Sequence, residues 1–424
     1  MQRFIKTICA VALLVGSTGT LAHAQKALTW DEVRTRFEAN NPTLLADKLT
    51  IDESKAQEIT AFLRPNPSVS LTADGTQIAP YKGVWRPFAG TYETPSISYL
   101  HERQHKRELR LESAQKGTLI AESSHADLDR TLLFNLRGAF VSTLQAKAVL
   151  QLAKDNLDYY DHVLAISRDR FNAGDIAQLD LDRLELQRVQ YESDVQVGEV
   201  NLRTAKIQLL TLLNDRTPIE QFDVAGRFDF NDQLMPQDEF RKIALDTRPD
   251  LRAAMEAVDK AQTDHKLAVA NGSTDPTLSA WYTHNSSNNN PFGINTLGVS
   301  VAIPLRVFDR NQGEKLRTQL DVDRNQRLLD AARAGVYSDV DSAYTTVNSN
   351  LILLQPYKKK YLQQAVRVRD TVFFAYQHGG ASLLDFLNAQ SDYRIVELSY
   401  VTLLGAYLTS AAQLNMAVGR EVIQ

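Results

Sequence analysis

The chain has 424 residues, 43% of them hydrophobic and 23% charged, with a formal net charge of -4. That length holds two or three ordinary domains or one extended architecture, and the acidic balance argues against nucleic acid as a partner. The single cysteine, Cys9, falls in a segment expected to be removed, which excludes disulfides, thiol catalysis, thiolate metal sites and an amino-terminal lipid-bearing cysteine from the mature protein.

The chain opens MQRFIKTICAVALLVGSTGTLAHAQ. Arg3 and Lys6 make a basic start, Ile8 to Val15 an apolar stretch, and Ala22-His23-Ala24 a small-x-small cleavage site, so residues 1–24 read as a secretory signal peptide. Without it 45 basic side chains face 51 acidic ones. The remaining chain is expected to keep no apolar run of membrane-spanning length, so any insertion would be by β-strands.

The next elements occur twice. LTWDEVRTRFEANNPTL is echoed by MPQDEFRKIALDTRPDL: Asp31-Glu32, Arg34, Pro42 and Leu44 match Asp238-Glu239, Arg241, Pro249 and Leu251 at an offset of 207. FNAGDIAQLDL is echoed by YQHGGASLLDF, where Gly174, Leu179 and Asp180 match Gly379, Leu384 and Asp385 at an offset of 205. Several matches at nearly one spacing indicate a tandem duplication, with repeat 1 over residues 25–214 and repeat 2 over residues 215–424.

In each repeat a helical stretch ends at prolines, Pro65-Asn66-Pro67 or Asp275-Pro276, and alternation takes over. Val69, Leu71 and Ala73 alternate with Ser68, Ser70 and Thr72, and Leu278, Ala280 and Tyr282 with Thr277, Ser279 and Thr283. After a loop containing Lys82-Gly83-Val84-Trp85 or Asn288-Asn289-Asn290, a second alternating run comes next, giving strand pairs at about 67–100 and 276–305. One face is apolar and the other small and uncharged, a pattern that suits lipid outside and water inside a barrel better than a sandwich. Both loops are expected to face outside the cell.

Strand Ile97–Tyr99 runs into His101-Glu102-Arg103-Gln104-His105, an H-E-x-x-H pattern that on a helix would place two imidazoles beside a glutamate base on zinc. The pentad sits at a strand end, its counterpart Phe308–Gln312 shares none of its metal-binding residues, and a straight helix would put His125 about 30 Å from His105. The favoured reading is a basic belt of Arg103, His105, Lys106, Arg107 and Arg110 at phospholipid headgroups.

The remainder of each repeat is helix. From about residue 103 to the Gly174 turn a single helix could span roughly 100 Å. The returning helix carries a heptad seam, Leu181, Arg188, Val195, Leu202 and Leu209 beside Leu184, Tyr191, Gly198, Ala205 and Leu212. In repeat 2 the first row becomes Phe386, Tyr393, Tyr400, Tyr407 and Leu414, expected to be interhelix packing. Pro356 should interrupt the rising helix there. Four strands cannot close a membrane barrel, which needs at least about eight, so several subunits must pool their strands.

Helix, strand, strand and long hairpin, given twice after a signal peptide, resembles the outer membrane efflux proteins of the TolC family. The resemblance covers the whole mature chain and rests on LTWDEV with NNP, the paired G-x-x-x-x-L-D tips, LLDFLNAQ and IPLRVFDRNQG; the last is similar to the CzcC-like cation-efflux branch. It implies a fold that is mainly α with transmembrane β: four strands per protomer in a shared trimeric, 12-stranded barrel over a long periplasmic α-helical coiled-coil barrel. It also implies a homotrimer in the Gram-negative outer membrane, passively conducting substrates from a periplasmic adaptor (membrane fusion protein) and an inner-membrane pump of the RND type. No enzyme activity and no cofactor are implied.

On this resemblance the tips near 174–180 and 379–385 carry function. Asp385 and Asp180 are expected at the pore constriction, where closely spaced carboxylates attract cations. Relatives often carry a second acid one turn later; Asn388 stands there instead. Gly174, Leu179, Gly379 and Leu384 belong to the expected adaptor-docking surface. Cargo stays open between metal cations, drugs and secreted polypeptides. The rivals are a periplasmic adaptor, which would need a compact β-rich domain and one hairpin, and a secreted zinc metalloprotease resting on HERQH alone.

Overall fold

The structure is a computed structural model that describes residues 27–286 and 290–423. The expected signal peptide, and Asn288 and Asn289 of the second strand loop, lie outside the described residues. Two short helices, α1 (Trp30–Asn40) and α2 (Pro42–Phe62), lead to β1 (Ser68–Asp74) and β2 (Tyr92–Leu100), then to the hairpin of α3 (Lys106–Asn172) and α4 (Gln178–Leu212). The order recurs as α5 (Gln237–Thr247), α6 (Pro249–Asn271), β3 (Thr277–His284), β4 (Asn295–Ala302), α7 (Gln312–Pro356), α8 (Leu362–Gln377) and α9 (Leu383–Val418).

Local chemistry places the element ends. Thr29 and Glu32 form a capping box on α1, and Asn41 accepts the Leu44 N–H at 3.0 Å to start α2 behind Pro42. At 67 residues α3 extends about 100 Å. Pro356 ends α7, but the chain does not turn away: a π-helical turn, Tyr357–Tyr361, carries it into α8. The wider turn accommodates the missing N–H and the ring without breaking the axis. Lys358 of that turn bonds Asp229 at 2.9 Å and lies 4.8 Å over the Phe230 ring, fastening it to the segment before α5.

The four strands form one antiparallel sheet in the order β1-β2-β3-β4, so β1 and β4 are both bare edges. Register puts Ser68, Ser98, Ser279 and Ser300 in one row across it, and Val69, Ile97, Ala280 and Val299 in the next. Because successive residues point to opposite faces, this is a small polar face backed by an apolar one. Ser68 and Ser98 hydroxyls lie 2.7 Å apart, as do those of Ser70 and Ser96. The apolar face is open: Val69, Leu71, Leu297 and Val299 are all exposed in the single chain.

Among the described residues three cores hold the helices. One packs α5, α6, α7 and α9 around Phe240, Val340, Leu354 and Tyr407; a second packs α1, α3 and the end of α4 around Phe37, Leu136 and Leu209; the third lies at the hairpin tips. A parallel bridge between Leu28 and Val224 ties the start of repeat 1 to the segment that begins repeat 2. The expected seams are where the helices meet: Leu181, Leu184, Tyr191, Val195, Gly198, Ala205 and Leu209 are buried, as are Phe386, Tyr407 and Leu414. Arg188 breaks the row and instead bonds Asp161 and Glu192.

The expectation that no apolar run could span a membrane needs correction. By length and composition α9 passes that test, with a mean hydropathy of 1.3 over its best window. Its apolar residues nevertheless meet protein, since Leu404, Tyr407, Leu408 and Leu414 are buried in the first core.

Candidate pore entrance at the hairpin tips

Both tips turn in the same way. After α3, the Gly174 N–H donates to Phe171 O at 2.9 Å and the Asp175 N–H to Arg170 O at 2.8 Å, with Gly174 left-handed at φ 85°. After α8, the Gly379 N–H donates to Tyr376 O and the Gly380 N–H to Ala375 O at 2.8 Å, with Gly379 at φ 75°. These paired bonds are the Schellman closure, and its left-handed position is where a Cβ is penalised.

The returning helices start differently. α4 begins after Ala177 with no side-chain cap, and Asp180 stands in its first turn. At α9, Ser382 is the N-cap, its hydroxyl accepting the Asp385 N–H while the Asp385 carboxylate accepts from the Ser382 hydroxyl at 2.7 Å and N–H at 3.0 Å. Those two donations hold the Asp385 carboxyl below the usual carboxylate range, so it is an anion at neutral pH. Neither Asp180 nor Asp385 has a salt-bridge partner among the described residues. Asp385 and Asn388 are one turn apart on α9, and the matched Leu179 and Leu384 are both exposed, at 59% and 64%.

The structure joins the two tips through contacts that sequence reasoning did not anticipate. Arg170 of repeat 1 lies 5.2 Å over the Tyr376 ring of repeat 2. Tyr376 stacks on Phe386 at 5.5 Å, and Tyr160 on Tyr191 at 4.5 Å with its hydroxyl donating to Leu184 O. Higher up, Arg394 bonds Asp194 at 2.7 Å across the hairpins. The Ser382-x-x-Asp385 box was readable as a capping signature; the cross-repeat contacts carry no local signal.

The HERQH pentad does not have the helical backbone that an H-E-x-x-H zinc site needs. It precedes α3 rather than lying on it, and Gln104 and His105 are left-handed, at φ 59° and 55°. Glu102 is engaged by Arg110 at 2.9 Å, and the His105 side chain is 88% exposed. His125, well along α3 from His105, bonds Asp47 at 2.7 Å. No group of three or more potential metal ligands occurs among the described residues. The belt reading also needs correction. Lys106 is buried against Asp275 at 2.6 Å, Arg110 is held by Glu102, and Arg107 lies 4.4 Å over the Phe62 ring. Only Arg103 and His105 of the five are exposed.

A sheet too small to close, lipid-compatible on one face and hydroxyl-lined on the other, continued by a helix about 100 Å long, defines the protomer of a membrane channel. The description "Outer membrane efflux protein" names the family whose profile matches residues 33–215 and 241–420. The chain belongs to that family: it is an efflux channel of the outer membrane with a large periplasmic portion. It is 21% identical to the cobalt-zinc-cadmium resistance protein CzcC of Cupriavidus metallidurans, across 93% of this chain and 90% of that one. It is 25% identical to the pyoverdine export outer membrane protein OpmQ of Pseudomonas aeruginosa, across 76% and 69%, and 22% identical to outer membrane protein TolC of Escherichia coli, across 72% and 64%. The fold superposes on the solved channel CusC with a TM-score of 0.77 at 18% identity over 92% of both chains, and on OprN with 0.75 at 15% identity over 92% and 89%.

Proposed function

We propose that three copies pool their strands into one 12-stranded barrel in outer membrane lipid and their hairpins into one periplasmic tube. The assembly is a passive exit duct fed by a periplasmic adaptor and an RND-type inner-membrane pump. The adaptor meets the turns at Gly174 and Gly379, with Leu179 and Leu384 as the apolar contacts they present. Asp385, with Asp180 from the matching tip and Asn388 one turn on, lines the entrance. Cations are the favoured cargo. The reading is supported by one observation above the rest: a carboxylate at the extreme tip, fully solvated, without a cationic partner among the described residues and held ionised by Ser382. Three such groups around a narrow mouth would concentrate cations and disfavour anions. Kinship with a protein named for cobalt-zinc-cadmium resistance agrees with that choice; kinship with one named for pyoverdine export supports organic cargo as the second reading.

The test is Asp385→Gln, because glutamine removes the charge yet can still accept at the third position of a capping box. In planar bilayers the variant should lose most of its cation preference and its block by divalent ions, with Asp180→Asn changing both less. Unaltered selectivity and block in Asp385→Gln would remove Asp385 from the pore.

A further inference from the structure

The two strand loops occupy equivalent places and have opposite chemistry. Each joins its strands at the end of the sheet away from the helices, so with the helices in the periplasm both open at the outer face. The loop of repeat 2, between His284 and Asn295, reads NSSNNNPFGI and carries no charged side chain. The loop of repeat 1, between Asp74 and Tyr92, reads GTQIAPYKGVWRPFAGT. It holds two cations, Lys82 and Arg86, no acid, and a run of large apolar side chains. Loops that face water are ordinarily polar, as that of repeat 2 is.

An ordered scaffold displays this apolar surface. Tyr81 and Val84 exchange both backbone bonds at 3.0 Å around a two-residue turn. Lys82 and Gly83 in that turn are left-handed, at φ 50° and 73°, the form that continues the twist of a strand pair. Gln77 ties the two arms. Its N–H donates to Pro87 O at 2.9 Å, its side-chain oxygen accepts the Arg86 N–H at 2.9 Å, and its carbonyl accepts the Trp85 indole N–H at 3.3 Å. The large side chains turn outward: Ile78 is 95% exposed, Phe88 77% and Trp85 62%. Lys82 lies 5.4 Å from the Tyr81 ring centre, and neither Lys82 nor Arg86 pairs with a carboxylate among the described residues. Of the flanking acids, Asp74 is taken by the Gly75 N–H and the Tyr92 hydroxyl, and Glu93 stands two residues beyond the loop on β2.

Strand length fixes the level of the loop. The seven residues of β1, at about 3.3 Å each and tilted by about 40°, rise about 18 Å, short of the roughly 25 Å apolar band of a membrane barrel. Ile78, Tyr81, Trp85 and Phe88 follow where that band still needs apolar cover, and Trp and Tyr favour the headgroup boundary. We propose that the β1–β2 loop is a lipid-binding element. Its apolar side chains enter the outer leaflet beside the barrel, and Lys82 and Arg86 bind the phosphates of the phosphorylated glycolipid there, lipid A. The rival occupant is a second copy of the chain, with loops from several protomers gathered over the pore. That arrangement would bring together two unpaired cations from every copy with no acid in the loop to offset them, and like charges repel. Lipid phosphates supply the missing anions.

The full-length protein is reconstituted into phosphatidylcholine vesicles with and without lipid A. Acrylamide quenching of Trp85 is read as the difference between the parent and Trp85→Phe. Each cation at an anionic surface strengthens attachment about fivefold, so lipid A should lower the Trp85 quenching constant by about threefold or more. Lys82→Gln with Arg86→Gln should abolish that protection, and Lys82→Arg with Arg86→Lys should keep it, which separates charge from folding of the loop. Dephosphorylated lipid A, and inorganic phosphate added to phosphatidylcholine vesicles, should protect no better than phosphatidylcholine alone. Equal protection with and without lipid A, as loops gathered over the pore would give, overturns the proposal. So does protection that survives loss of the two cations or of the lipid phosphates. Protection by inorganic phosphate shows an adventitious ion only and overturns it as well.

Discussion

Removing the cation from the Lys106–Asp275 pair measures how strongly that pair fastens the sheet to α3. The Lys106 side chain is 3% exposed and that of Asp275 17%, so Lys106→Met keeps the stem's volume and leaves a carboxylate mostly cut off from water. Deleting one member of a buried pair costs about 3–5 kcal/mol. Asp275 keeps some solvent and the Arg103 N–H at 2.9 Å, which argues for the low end, about 3 kcal/mol. Lys106→Met with Asp275→Asn removes the stranded charge while the amide oxygen still accepts from Arg103, and should recover about 2 kcal/mol of that loss. Burial raises the Asp275 carboxyl, but the Lys106 and Arg103 donations outweigh it and hold it below its ordinary value. A carboxylate so lowered contributes stability that is present above the unfolded value and lost as pH falls through the folded one. The assay is urea unfolding of the detergent-solubilised protein followed by far-ultraviolet circular dichroism at pH 7 and across the acid range. The parent should lose stability below about pH 4 more steeply than Lys106→Met. A cost within about 0.5 kcal/mol at pH 7, the range of ordinary surface changes, would refute the reasoning.

Two further outcomes are expected. A Cβ on Gly198 would lie 3.2 Å from Leu150 Cα, backbone that cannot swing aside, so Gly198→Val should destabilise the α3–α4 hairpin by about 1–3 kcal/mol, read as a lower unfolding midpoint with the strands still assembled. His101→Ala with His105→Ala should leave bound zinc, measured by atomic emission after dialysis, at the parent's level; a stoichiometric loss would restore a metal role to the pentad.

The chain's periodicities carried most of the architecture. Alternation at Val69–Ala73 and Leu278–Tyr282 marked strands, the heptad seam from Leu181 to Leu209 marked α4, and Gly174 and Gly379 marked the turns, because each is a local consequence of side-chain spacing or backbone freedom. The motif HERQH marks the limit of local reading: five residues match zinc chemistry, but only the backbone, left-handed at Gln104 and His105, decides whether they share a helical face. Long-range partners stayed out of reach. Nothing near Lys106 in sequence announces Asp275, 169 residues on, and nothing near Arg170 announces the Tyr376 ring. The basic run at 103–110 therefore looked like a solvated belt. Secondary structure and the duplication were written in neighbouring residues; charge pairing, the joining of the tips and the contrast between covered and bare edges arise from residues far apart in sequence, and packing alone brings them together.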